Sequence, residues 1–186
     1  MARIIYKDGC DGQNRLESIE GIEIDLLNGQ KALIYPKYSE EALLDLKDRD
    51  RWHDAGVSEI NALRLRDNQA ATTALFDAGS PAAEFVSKFA SEKFGRFGLP
   101  TLAAAMEITE QMGEIDELAR EIDGADLLED FYSSVWSCSR CFPNYGWFAY
   151  GDFGYASGGN LNFRYVAAPL VLLDVTADGV AYYKKG

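Results

Sequence analysis

Cys138 and Cys141 are spaced as C-x-x-C, a pattern found in redox-active pairs and in zinc sites. A redox pair requires a helix N-terminus to lower a thiol pKa, whereas the residues before Cys138 predict a strand. A zinc site requires a second pair of ligands, and only Cys10 and His53 remain to supply it. The count of three cysteines also does not predict a disulfide framework. We therefore expect structural thiols and no metal or cofactor.

His53 is the only histidine, and it lies next to Asp54 and near Ser58. These residue types can form a catalytic group, but nothing else in the sequence supports one. A surface histidine is the favoured interpretation. An enzyme with an unrecognised site stays open as the third functional hypothesis.

The stretch Phe131–Leu173 has an unusual composition. It holds more than half of the aromatic residues, together with Gly, Ser and Asn. No Lys, Glu, Gln or Met occurs between Asp130 and Tyr183, although these types make up 29 of the 186 residues. Rigid aromatic rings mixed with small polar groups are typical of antibody-like binding surfaces. An ordinary aromatic-rich antiparallel sheet is the alternative, and composition does not separate the two.

Length and charge limit the classes of function. A chain of 186 residues suits a single domain over 1–186, with an N-terminal hairpin and helices in 1–128 and an aromatic-rich β region in 129–186. The net charge of −12 argues against a nucleic-acid partner. No segment is apolar for the length of a membrane span, and no secretory signal is visible. Localisation stays open between a phage virion, a mobile-element product, the cytoplasm and, after removal of a signal, a cell surface.

Sequence patterns outside the aromatic stretch predict an α+β fold. Alternating apolar residues in Gly21–Leu27, the turn signal Asn28-Gly29 and the run Lys31–Tyr35 predict a hairpin. Ser80, followed by proline, and Thr101 predict the starts of two main helices, which we expect to pack on short, mostly antiparallel strands.

Several further expectations concern the rest of the chain. Ser39 is expected to cap a short helix, and Gly56–Gly79 to be irregular. Gly95 and Gly98 are expected to end the helix that begins after Ser80, Gly113 to break a helix, and Gly158-Gly159 to form a turn. The expected C-terminal strands are Val135–Ser139, Trp147–Tyr150, Tyr155–Ala156, Arg164–Leu173 and Val180–Lys184.

Short motifs over roughly residues 60–175 resemble a known family. They are Leu99-Pro100-Thr101, Trp136-Ser137, Gly146-Trp147, Gly154, and Val166 with Pro169-Leu170. In this order they resemble the bacterial C-type-lectin-like family known as the Fibrobacter succinogenes major paralogous domain, which is related to the C-terminal domain of Legionella collagen-like protein. The arginine of the family's last strand is absent, since Ala167-Ala168 stand there.

The resemblance implies a C-type-lectin-like fold and a binding function. Some proteins of this fold class are variable proteins of diversity-generating retroelements, in which mutated adenines rewrite codons near the C-terminus. Apart from Trp147, Ser139–Tyr165 contains only residue types that such rewriting of AAC codons produces. The calcium-binding motifs of sugar-binding lectins are absent, so calcium-dependent sugar binding is not expected.

The resulting hypothesis is a non-enzymatic protein that binds a protein or surface macromolecule through a variable face. A fixed-partner structural or adhesive module of a cell or phage surface is the alternative. The oligomeric state stays open. The residues expected to line the face are Arg140, Phe142, Asn144, Tyr145, Phe148, Tyr150, Asp152, Phe153, Tyr155, Ser157, Asn160, Asn162 and Arg164.

Overall fold

A computed structural model describes residues 1–39, 59–131, 134–142, 144–151, 155–177 and 181–182. The expected helix after Ser39, together with His53, lies outside these residues. The described part combines helices with antiparallel sheets, so the α+β class is confirmed. None of its helices is long and apolar enough to cross a membrane.

The largest sheet joins strands from the two ends of the described chain. Its order is β1 (Arg3–Tyr6), β2 (Ile19–Asp25), β3 (Lys31–Ile34), β9 (Leu170–Val175) and β10 (Ala181–Tyr182), with every neighbouring pair antiparallel. The predicted hairpin forms, and its turn contains Gly29 at a φ of 82°. A positive φ is easily adopted only by glycine, which explains the Asn-Gly signal.

Five helices lie between β3 and the second sheet in the described chain. They are α1 (Glu59–Arg64), α2 (Gln69–Asp77), α3 (Pro81–Val86), α4 (Leu102–Glu110) and α5 (Met112–Ala119). The Ser80 hydroxyl accepts a hydrogen bond from the Ala83 N–H, and the Thr101 hydroxyl accepts one from the Ala104 N–H. Both predicted helix starts are therefore confirmed, each by a side chain that satisfies a backbone donor of the first turn.

Three details of the helical region differ from expectation. The segment up to Gly79 is not irregular from Glu59 onward, because it contains α1 and α2. Helix α3 ends at Val86 and is followed by a small hairpin of β4 (Ala90–Ser91) and β5 (Gly95–Arg96). Gly113 lies inside α5, and the break between α4 and α5 is at Gln111.

The aromatic stretch forms a second, three-stranded sheet. It consists of β6 (Val135–Phe142), β7 (Tyr145–Ala149) and β8 (Ala156–Asn160), with β7 in the middle. An isolated parallel bridge between Val135 and Val166 links it to the chain that leads into β9. Leu170–Leu173 are buried, as expected for the continuous apolar run, but this run becomes a strand only at Leu170.

Two apolar clusters fix the second sheet in place. On one side, Val135 and Ala149 belong to a core formed with α4, α5 and the five-stranded sheet. On the other side, Trp136 and Phe148 pack with α2 and α3. The sheet is thus held between two groups of helices, and only its remaining surface is open to a partner.

Candidate functional site

Most of strand β7 is buried or partly buried, and Tyr145 at its start is exposed. The register aligns Tyr145 with Asn160 and Phe148 with Ser157. Because side chains alternate along a strand, Tyr145 and Phe148 lie on opposite faces of the sheet. The Phe148 side chain is 2% exposed, whereas that of Tyr145 is 40% exposed.

Aromatic rings form a continuous set of contacts from the core to the surface. The ring of Tyr165 lies 4.7 Å from Trp136 and is stacked at 4.1 Å on Phe148, measured between centroids. Tyr150 is 4.9 Å from Phe148, and Tyr155 is 4.9 Å from Tyr150. We call Trp136, Phe148, Tyr150, Tyr155, Phe163 and Tyr165 the aromatic cluster. Trp136 and Phe148 are buried, Tyr150 and Tyr165 are partly buried, and Tyr155 and Phe163 are about half exposed, at 51% and 54%.

Two glycines in β8 allow close packing against this strand, one against the rings and one against a cysteine. A β-carbon on Gly159 would lie 2.8 Å from the ring of Tyr165 and 3.0 Å from that of Phe148. A β-carbon on Gly158 would lie 2.8 Å from the sulfur of Cys141. The glycines therefore belong to the strand, and the turn expected at Gly158-Gly159 is wrong.

The segment after β8 presents exposed residues from a fixed turn. The Asn160 side chain accepts a hydrogen bond from the Asn162 N–H at 3.1 Å, and the Asn160 carbonyl accepts one from the Phe163 N–H at 2.9 Å. The side chain of Leu161 is fully buried and anchors the turn. Asn162, Phe163 and Arg164 are exposed. Together with Tyr145, Asn144 and Tyr155, they make up what we call the display surface.

Burial changes the titration of the ring at the centre of the cluster. It raises the pKa of the Tyr165 hydroxyl above its ordinary value, and the nearby Tyr150 adds to the increase. The phenol is therefore neutral at physiological pH and carries a proton that it can donate. The Tyr165 ring at the centre of the cluster is thus uncharged.

The thirteen predicted site residues divide into four groups. Asn144, Tyr145, Tyr155, Asn162 and Arg164 are exposed, and Arg140, Tyr150, Ser157 and Asn160 are partly buried. Phe148 is buried. Asp152 and Phe153 lie outside the described residues, and only the backbone of Phe142 is described.

The placement of Phe148 on the binding face is wrong. It shares the core face of the sheet with Trp136, whose ring meets it edge-on at 5.9 Å. The sequence reasoning also missed Phe163. The expected face includes every second residue here, Asn160, Asn162 and Arg164, but β8 ends at Asn160 and the following residues turn. In a turn, neighbouring side chains can all be exposed.

Of the other candidate groups, the C-x-x-C pair lies in the described part of the chain and His53 does not. Cys138 and Cys141 are buried, and both are thiols rather than a disulfide. In the described residues, no cluster of His, Cys, Asp and Glu could hold a metal ion. Asp126 forms an ion pair with Lys37 at 2.7 Å.

Comparison with known proteins identifies no relative: no family model, curated protein or solved structure matches the chain. The display surface and the aromatic cluster that supports it are therefore the basis for a functional proposal.

Proposed function

We propose that the protein is a non-enzymatic binding protein with a C-type-lectin-like fold. Its display surface recognises a protein or another surface macromolecule. The observation that carries this proposal is the aromatic cluster, which begins at the buried Trp136 and ends at the exposed rings of Tyr155 and Phe163.

This arrangement suits recognition because the exposed rings are supported from below. Tyr155 packs on Tyr150, and Phe163 meets Tyr165 at 6.2 Å between ring centroids. Aromatic side chains that are already ordered lose little conformational entropy on binding, which makes them effective anchors. Asn162 and Arg164 next to them supply hydrogen bonds and one positive charge.

The sheet topology is one observation that supports a C-type-lectin-like fold. The hairpin of β2 and β3 pairs with β9, which follows the second sheet in the chain. The helices and β6–β8 are therefore inserted between two halves of one sheet. This placement, together with the motifs around Thr101 and Trp136, supports the fold assignment.

The division between buried and exposed residues also suits diversification. Within Ser139–Tyr165, the scaffold positions include Phe148, Gly159 and Leu161, which cannot change without disturbing the packing. The display surface can change freely. A retroelement that rewrites codons there would alter the ligand without altering the fold.

The genome tests this part of the proposal. A near-copy of the codons for Ser139–Tyr165, with AAC at the positions that differ, is expected beside a reverse-transcriptase gene. The differing codons are expected to fall on the display surface and not on Trp147. Absence of such a copy rules out diversification and leaves the fixed-partner module.

A display experiment tests the binding role separately. In one library on yeast, the six codons of the display surface are randomised, and in a matched library six buried positions are randomised instead. The first library is expected to stay folded and to yield binders to a model protein such as egg-white lysozyme. The second library is expected to lose surface expression. Equal loss in both would contradict the proposal. The buried positions are Trp136, Phe148, Ala149, Gly159, Leu161 and Val166.

A further inference from the structure

A second candidate site, which is a groove, lies beside α2 and away from the display surface. It is a groove of about 470 Å³ between α2, the residues after α3, and the β4–β5 hairpin. This volume is within the range of small-molecule sites, roughly 300–1,000 Å³. The lining residues are Gln69, Thr72, Thr73, Phe76, Ser87, Ala90, Arg96 and Phe97.

Helix α2 separates this groove from the aromatic cluster. Ala71, Leu75 and Ala78 lie on one side of the helix and pack with Trp136. Thr73 and Phe76 lie on the opposite side, since two residues of a helix that are two or five apart point in widely different directions. The groove is thus independent of the proposed binding function.

The groove is held open by hydrogen bonds at its base. The Thr72 hydroxyl accepts a hydrogen bond from the Leu99 N–H at 3.0 Å. The Asn68 side chain donates to the Leu99 carbonyl at 2.8 Å, and the Gln69 side chain donates to the Arg96 carbonyl at 2.8 Å. These contacts fix α2 against the chain from β5 to Leu99, so the walls are in place before a ligand arrives.

The chemistry of the groove combines one cation with apolar surface. Arg96 is exposed, and within the described residues its guanidinium has no ion pair. None of the lining residues is acidic. This is unusual in a chain with a net charge of −12. Phe97 lies at the base, 2% exposed, and the ring of Phe76 is 47% exposed at the rim.

We propose that this groove binds a small carboxylate that carries an aromatic or aliphatic group. The guanidinium of Arg96 presents paired N–H donors that match the two oxygens of a carboxylate. The Thr73 hydroxyl is a further donor on the same wall. The apolar part of the ligand covers Phe76 and points towards Phe97 at the base, which removes the Phe76 ring from water.

Titration of the whole chain with 3-phenylpropionate, followed by two-dimensional ¹H–¹⁵N NMR, tests the proposal. We expect saturable shifts of the Arg96 and Gln69 side-chain signals and of the Thr73 amide. Two matched probes, 3-phenylpropanamide and propionate, lack the charge and the ring respectively. Both are expected to bind at least about tenfold more weakly, because each loses one of the two interactions.

Variants distinguish a specific binding site from a general attraction of anions to positive side chains. Arg96→Gln is expected to weaken 3-phenylpropionate binding about tenfold or more, and Phe76→Ala to reduce the preference over propionate. Arg64→Gln removes an equally exposed charge outside the groove and is expected to have no effect. Arg96→Lys keeps the charge but loses the paired donors, and is expected to bind at an intermediate level. Equal affinity of the Arg96→Gln and Arg64→Gln variants, or no shifts in the groove, would overturn the proposal.

Discussion

Gly159 contacts the ring of Tyr165 so closely that a β-carbon on the glycine would come within 2.8 Å of the ring carbon Cε2. The same β-carbon would come within 3.0 Å of the ring of Phe148. Strand β8 can therefore pass under both rings only because this position has no side chain. The packing of the aromatic cluster depends on this contact.

Gly159→Ala should lower the free energy of unfolding by about 1–3 kcal/mol, because the added methyl overpacks a filled core. Urea denaturation measures the change. Gly113→Ala is the matched control, since a β-carbon at Gly113 meets nothing within 4 Å and its helix favours alanine by about 1 kcal/mol. Equal stability of the wild type and the Gly159→Ala variant would show that the rings move aside easily.

The exposed rings should contribute little to the stability of the fold. Replacing Tyr145, Tyr155 and Phe163 together by Ser is expected to cost no more than about 2 kcal/mol, chiefly through the lost contact between Tyr155 and Tyr150. Phe148→Ala should cost about 3–5 kcal/mol, because it leaves a cavity under Tyr165. Thermal and urea unfolding compare the variants. A triple variant as unstable as Phe148→Ala would place those rings in the core.

The parts of the fold that the sequence predicted correctly are set by neighbouring residues. The β2–β3 hairpin follows from alternation and an Asn-Gly turn, and the helix starts at Ser80 and Thr101 follow from a hydroxyl that caps the next turn. Such signals lie within a few residues of the structure they specify. They can therefore be read without knowledge of the tertiary fold.

The parts that were missed depend on distant contacts. Helix α2 buries Ala71, Leu75 and Ala78, and these mostly small side chains give only a weak apolar pattern. Gly158 and Gly159 have the local signature of a turn, but they are strand residues because of the rings and the thiol that pack on them. For the same reason, the alternation of side chains along β7 could not decide which of its residues are exposed.

A buried carboxylate should be important for the five-stranded sheet. Glu23 is 2% exposed, and its Oε1 accepts hydrogen bonds from the Arg3 Nε and the Lys31 Nζ, each at 2.9 Å. Glu23→Gln is expected to cost about 1–3 kcal/mol, because two charge-assisted hydrogen bonds weaken. Arg3→Ala removes a largely exposed partner and should cost less than about 1 kcal/mol. Urea denaturation compares the two, and a larger cost for Arg3→Ala would contradict this order.

A buried phenol makes the stability of the fold sensitive to alkaline pH. Tyr38 is 6% exposed, and its hydroxyl has no hydrogen-bond partner among the described residues. Burial raises the pKa of Tyr38 far above its ordinary value, and the carboxylates of Asp116 and Asp126 add to the increase. The unfolded chain therefore loses this proton near pH 10, while the folded chain keeps it. Deprotonation of Tyr38 therefore does not affect the free energy of unfolding below about pH 10, and it lowers this free energy as the pH rises further.

Tyr38→Phe should consequently raise the free energy of unfolding by about 1 kcal/mol at neutral pH, because it removes a buried hydroxyl without a partner. It should also reduce the loss of stability between about pH 9 and pH 11. Tyr6→Phe is the matched control, since the Tyr6 hydroxyl donates to the Asn14 side chain at 2.6 Å and its removal should cost about 1 kcal/mol. Urea denaturation across this pH range measures both effects. A destabilised Tyr38→Phe variant would show that the hydroxyl has a stabilising partner in the folded protein. An unchanged pH profile would show that the pKa of Tyr38 is the same in the folded and unfolded chain.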